Sequence, residues 1–418
     1  MGRFITLFLL LFAVFAALAQ GEEEEQNILT DIFNQQPEQF DSILKNKEDY
    51  RLQIIYTQVD RDRKGRPHFT TYSLDTGKYY YYCASMIKLL EIPVAMEKID
   101  GLAEKYGISI YDSMAVSGEP CGDASEAAYR TWSDLNTPAQ MIKEMLLVSN
   151  NHAFNPLYDF LTQRYFNQRA HELGYNSAII TNRFAACDSF QNRINSAVSF
   201  YNRSTGQLKF LQPSSINPNE PKVTDMNTVV GKGFWNGNSL DPPKDFCFNN
   251  YISLGDLHRL LIRLIFPGTQ TKEDHFKLQS ADYDFIHKYM GMYPRECARP
   301  VYDTVAFHDV FVKFFVTPTD TGGHAPLNFR VFNKVGQAYG FTTDCSYMAD
   351  TLNHVEFFLS CSIYTNKDQI LNDGAYEYET VALPFMRNLF NAIYARELAR
   401  PKKHPPQFGQ WDFTDTVF

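Results

Sequence analysis

The sequence predicts a mixed α/β fold: an antiparallel sheet of about five strands, drawn from both chain ends, flanked by helices and carrying a largely helical middle. Three observations lead there. Near the start, "YRLQIIYTQVDRD" alternates and is rich in β-branched and aromatic residues, "KGRP" reads as a turn, and "HFTTYSLD" returns as the second strand of a hairpin. From about residue 80 to 180, and again in "SLGDLHRLLIRLIF", the apolar spacing is helical. Toward the end, "HDVFVKFFVTP", "NFRVFNKVG" and "HVEFFLSCSIYTN" read as strands before a closing helix in "AYEYETVALPFMRNLFNAIYARELA". Strands first, helices between and strands last place both chain ends in one sheet.

The elements follow in order. "MGRFITLFLLLFAVFAALAQ" has one arginine, an apolar run and an Ala17-Leu18-Ala19 site, so residues 1–19 read as a secretory signal peptide cleaved after Ala19. The run is shorter than the ~20 apolar residues of a membrane span, and no later segment could cross a membrane. Residues 20–50 read as an acidic tail (Glu22 to Glu25) and a helix in "QNILTDIFNQQPEQFDSILKN". Residues 51–418 form the main domain, with a helical subdomain at about 90–265. Within it Thr137-Pro138 starts a helix, and residues 181–250 turn rich in Asn, Pro, Gly and Ser. An insertion at about 198–248 opens with the hairpin-like "VSFYNRSTGQLKFLQP" and holds Phe200, Tyr201, Phe234, Trp235 and Phe246. Loop packing accounts for these aromatics more readily than a partner surface does.

Composition excludes several classes. Of 418 residues, 44% are hydrophobic and 21% charged, a globular balance. A net charge of −9 and the lack of a long basic run argue against nucleic acid as partner. The seven cysteines are irregularly spaced without C-x-x-C, so no zinc site is expected, and their odd number leaves at least one unpaired within the chain. The ten histidines include no H-x-x-x-H pair, and neither a G-x-S-x-G elbow nor a phosphate loop occurs. No metal or cofactor is called for.

What remains is Ser85-Met86-Ile87-Lys88, at the start of a buried apolar helix. Residues three apart on a helix share a face. A lysine kept from water there loses its hold on a proton and can accept one from the serine. The motif alone is weak, because Ser42-Ile43-Leu44-Lys45 repeats it on a surface helix. Two further elements add weight: Ser149-Asn150-Asn151 at a helix junction, and Lys334-Val335-Gly336 on a late strand. Each has a double elsewhere, Ser215-Ile216-Asn217 and Lys105-Tyr106-Gly107. One choice of the three gives a nucleophile on a buried helix, a polar junction and a closing strand.

On these residues, in "YCASMIKL", "LLVSNNHAFNPL" and "FNKVGQAYGFTTD", the chain resembles the penicillin-recognising serine hydrolases, above all the class A β-lactamases, whose motifs are S-x-x-K, S-D-N and K-T-G. The resemblance implies a β-lactamase/transpeptidase-like fold, export to a bacterial periplasm or medium, and a small-molecule or peptide amide substrate, either a β-lactam or a cell-wall peptide. It implies Ser85 as acylated nucleophile, Lys88 as its activator and Ser149 as proton shuttle to the leaving nitrogen. Asn151 would hold the substrate's amide side chain and Lys334 its carboxylate. Gly336 would admit the substrate, and the N–H groups of Ser85 and Gln337 would form the oxyanion hole. Asn155 would be structural.

Three departures stand out. Asn150 replaces the family's aspartate, and Val335 its threonine. Ala185 follows Arg183-Phe184 where a glutamate would activate the deacylating water, leaving Asp188 as the nearest carboxylate. Two further readings therefore stand beside β-lactam hydrolysis: a penicillin-binding DD-peptidase-type enzyme with slow deacylation, and a non-catalytic binding protein on this scaffold.

Overall fold

The computed structural model describes residues 27–118, 121, 136–269, 275–326, 328–409 and 411–415. The expected signal peptide at residues 1–19 and the acidic run at Glu22 to Glu25 lie outside the described residues. The expected N-terminal helix is two helices, α1 (Ile28–Gln35) and α2 (Pro37–Leu44), broken where Pro37 bars the preceding residue from helical geometry.

The sheet forms as the alternating segments predict. Strands β1 (Gln53–Arg61) and β2 (Pro67–Leu74) make the hairpin. A 3-10 turn (Ala84–Ile87) leads into α3 (Lys88–Tyr106), followed by β3 (Ser113–Ser117). Helices α4 (Pro138–Leu147), α5 (Phe154–Leu161), α6 (Gln163–Glu172) and the short α7 (Ser189–Arg193) come next. Thr137 caps α4 as expected, its side chain accepting from Gln140 N at 3.2 Å.

The insertion is irregular, with short strands β4 (Ala197–Tyr201), β5 (Leu208–Gln212) and β6 (Gly233–Trp235). Helices α8 (Leu254–Ile265) and α9 (Ser280–Gly291) precede β7 (Phe329–Ala338), β8 (Phe341–Asp350) and β9 (Val355–Tyr364). The short β10 (Ile370–Leu371) and α10 (Leu383–Ala399) follow. The main sheet is antiparallel in the order β7-β8-β9-β1-β2, so the pairing of β1 with β9 joins the two ends of the fold, with Ile54 opposite Cys361.

One strand expectation fails. "HDVFVKFFVTP" is a run of turns, closed by bonds such as Phe311 N to His308 O and Val316 N to Lys313 O. Most of its apolar residues are buried, Val312 and Phe315 among them, while Phe311 is exposed, and the Phe314 N–H bonds the Asp344 carboxylate at 3.0 Å instead of a neighbouring strand. The third C-terminal strand is β8 instead.

Apolar residues pack on both faces of the sheet. On one, Phe357, Leu359, Cys361 and Ile363 meet α1, α2 and α10 through Leu29, Phe40, Phe385 and Leu389. On the other, Phe358 and Tyr347 meet the helical middle through Leu89, Leu90 and Leu257. No helix among the described residues is long and apolar enough to cross a membrane. Cys121 and Cys187 form a disulfide, and Cys83, Cys247, Cys297, Cys345 and Cys361 are thiols.

Candidate active site

Ser85 sits in the 3-10 turn, one residue past Ala84 with its left-handed φ of 45°, and Lys88 opens α3. Ser149 lies between α4 and α5, itself left-handed at φ 58°. A non-glycine residue held there costs of order 1 kcal/mol and persists only where surrounding contacts fix it. Lys334 and Gly336 lie on β7, which packs against the 3-10 turn. That approach requires glycine: a Cβ at 336 would drive into the Cys83 carbonyl oxygen and stand 3.0 Å from Met86 Cγ.

Three distant segments thus bring five polar side chains together. Lys88 Nζ lies 2.8 Å from Ser85 Oγ, 2.7 Å from the Ser149 carbonyl oxygen and 2.5 Å from Asn151 Oδ1. Two of these partners can only accept. A neutral amine that donates to both has its lone pair left for the Ser85 hydroxyl. Ser85 Oγ also lies 3.2 Å from Asn151 Oδ1. From the opposite side Lys334 Nζ donates to Ser149 Oγ at 2.7 Å and to its neighbour's carbonyl, Val335 O, at 2.8 Å.

Burial separates these groups. Lys88 and Lys334 are buried, Ser85 and Ser149 are half-buried, and Asn151 and Gln337 are exposed. The two amines therefore lie beneath a rim of open polar groups. Burial pulls Lys88 well below the usual lysine range, nearby Lys334 pulls it further, and Glu91 opposes both. Lys334 is lowered to about 7, mainly by burial, with Asp344 raising it and Lys313 lowering it. Gln337 is exposed one residue before the end of β7, its amide 3.3 Å from Thr342 Oγ1.

The doubles of the motifs have ordinary uses. Lys45 pairs with Asp41 on the surface at 2.7 Å. Gly107 terminates α3 in a left-handed conformation, and Asn217 donates to the Gln163 side chain at 2.7 Å.

The three departures acquire local explanations. Asn150 is buried, donates to Glu144 Oε2 at 2.7 Å and accepts from His152 N at 2.9 Å. An aspartate there would set two carboxylates against each other. Val335 packs in the core on the other face of the sheet from Lys334, with Val331 and Leu389. In the loop after residue 181, Phe184 places its ring 4.7 Å from Lys88 Nζ. Asn155 fixes that loop, accepting from Phe184 N at 2.9 Å. Arg183 is fully buried against Asp159. Asp188 is exposed and caps α7, accepting from Gln191 N at 2.7 Å.

Two neighbours of Lys88 escaped the sequence reading. In the sequence Phe184 stands out only as the residue between Arg183 and Ala185. Glu91 lies three residues past Lys88 inside an otherwise apolar run, and that spacing was the available signal.

Residues 45–217 match a family model described as the β-lactamase enzyme family. No curated protein matches the sequence. Among solved structures, the TLA-3 extended-spectrum β-lactamase is 13% identical, with a TM-score of 0.46 over 86% of this chain and 98% of that one. A class A β-lactamase from Bacteroides cellulosilyticus DSM 14838 is 10% identical, with a TM-score of 0.47 over 91% and 100%. A β-lactamase from Desulfarculus baarsii DSM 2075 is 14% identical, with a TM-score of 0.41 over 85% and 95%.

Proposed function

We propose, for a chain that is β-lactamase-like at family level, that it is an exported serine hydrolase forming an acyl-enzyme on Ser85 with β-lactams or related amides. The observation that carries this is the Lys88 amine, buried and held between two obligate acceptors with Ser85 Oγ as its third contact. As Ser85 Oγ bonds to the substrate carbonyl carbon, its proton passes to Lys88. The carbon–nitrogen bond then breaks and the leaving nitrogen takes a proton through Ser149, whose hydroxyl regains one from the Lys334 ammonium that donates to it. Asn151 and Gln337, on the open rim, hold the substrate, Lys334 attracts its carboxylate, and the Ser85 and Gln337 N–H groups receive the oxyanion. The leader at residues 1–19 supports export.

A second reading concerns release. Phe184 lies beside Lys88, and Asp188 caps its own helix, so the 181–193 loop offers no carboxylate to activate water. That favours a long-lived adduct, as in a penicillin-binding peptidase. Labelling with a fluorescent penicillin and mapping the adduct tests the first reading: folded protein without an adduct on Ser85 overturns it. Turnover of a chromogenic cephalosporin separates the two, since sustained hydrolysis excludes slow release and a single burst supports it.

A further inference from the structure

Glu91 is the polar group this chemistry has not used. It lies in the first turn of α3 and is fully buried, and neither carboxylate oxygen has a hydrogen-bond partner among the described residues. A carboxylate so placed is costly unless a charge answers it. The helix supplies part of the answer, because unpaired N–H groups at its N-terminus favour an anion in the first turn. Lys88 supplies the rest once it holds the proton taken from Ser85. It opens the same helix three residues earlier, on the same face, and is buried as deeply.

The surroundings of α3 leave this pairing without competition. The helix packs against α5, α6, α8 and the 3-10 turn. From α5, Tyr158 feels Glu91 electrostatically and donates its hydroxyl to Asn192 O at 2.7 Å. From α6, Arg169 is engaged by Glu97 at 2.7 Å. From α8, His258 lies between Thr57 Oγ1 and Ser360 Oγ, each at 2.8 Å. The 3-10 turn adds Ser85 itself, and from β7 the Lys334 charge works against a charge on Lys88.

We propose that Glu91 is a positioning residue for acylation, a built-in counter-charge that keeps Lys88 basic enough to take the Ser85 proton despite burial and the second lysine. This rests on the reading of Ser85 as nucleophile. Glu91 forms no bond and moves no atom in the step: the proton goes from Ser85 Oγ to Lys88 Nζ, and the carboxylate opposes the charge that appears there. Burial pushes the Glu91 carboxyl well above the usual carboxylate range and Lys88 draws it back, so each group supports the other's charged form.

The test is Glu91→Gln, which keeps size and removes the charge, with Glu91→Asp as the conservative partner. Acylation of Ser85 is followed against pH with a fluorescent penicillin and separately with a fluorophosphonate, which reports serine nucleophilicity whatever the natural substrate. Glu91→Gln should acylate about tenfold or more slowly at the plateau, with the acid limb moved to lower pH, because Lys88 without the carboxylate binds its proton less tightly. Glu91→Asp should restore most of both. A folded Glu91→Gln protein with an unchanged plateau and limb overturns the inference, since a purely structural role alters melting and not the limb. Labelling by fluorophosphonate alone, with no penicillin adduct, removes the β-lactam reading while the pH profiles still decide Glu91. Wild-type protein labelled by neither reagent overturns both.

Discussion

Two loops lie against the same lysine and are built from similar residues, yet they use them differently. In the 148–152 junction, Ser149 and Asn151 reach across to lysines on other elements, Lys334 and Lys88. In the 181–193 loop the polar groups turn inward: Arg183 to Asp159, Asp188 to the start of its own helix, and Asn192 to the Arg183 N–H at 3.0 Å. Polar side chains converging from separate segments are available to a substrate. Those that bond within their own loop, or to the neighbouring helix α5 as Arg183 does, hold the loop in place.

The sharpest way to break this contrast is Ser85→Ala. It should abolish covalent labelling and cut any turnover by about a thousandfold or more, measured by adduct mass and steady-state rate, with melting little changed. Next comes Arg183→Ala, which strikes the inward-turned loop. Leaving Asp159 buried without the Arg183 charge should cost about 3–5 kcal/mol in urea unfolding. Equal loss of labelling in folded protein would place Arg183 in the chemistry instead.

A smaller effect concerns Lys334, lowered to about 7 by burial. It is charged below that pH and neutral above it, so attraction for a substrate carboxylate is present at low pH and fades as pH rises. KM for a carboxylated β-lactam should climb about tenfold per unit above pH ~7, with kcat moving less, and a bound anion should shift the bend upward. A KM flat from pH 6 to 9 would detach Lys334 from carboxylate recognition. The smallest change is Asp188→Ala, which removes a helix cap: about 1 kcal/mol of stability and no change in adduct lifetime. A lengthened lifetime would return Asp188 to the release step.

The legible parts of this molecule were those with a short period. The β1–β2 hairpin, the strands β7 and β9 and the Thr137 cap follow from alternation and capping chemistry. The grouping of Ser85, Ser149 and Lys334 is implied by the resemblance of their three motifs to those of the penicillin-recognising serine hydrolases, and spacing alone does not separate them from their doubles. The rest depended on tertiary partners. "HDVFVKFFVTP" looks like a strand because it is dense in valine and phenylalanine, but a strand also needs a neighbour to bond, and Asp344 takes that place. Phe184 over Lys88 joins residues 96 apart in sequence, from 184 and 88, and no local pattern encodes that contact. Asn150 reads as a lost aspartate until Glu144 appears beside it. Glu91 was hidden by the apolar run around it.

The pairing of β1 with β9 sets an order of events for the newly made chain. Ser85 and Lys88 leave the ribosome early, but β7, which brings Lys334, belongs to a sheet whose middle is closed only when residues 355–364 reach β1. Closing so long a loop is slow, because its entropy is lost before the contacts form. Until then the serine has its lysine but lacks the strand that completes the site. A partly made chain thus holds the serine and its lysine without the second lysine, and the site is complete only when the sheet is.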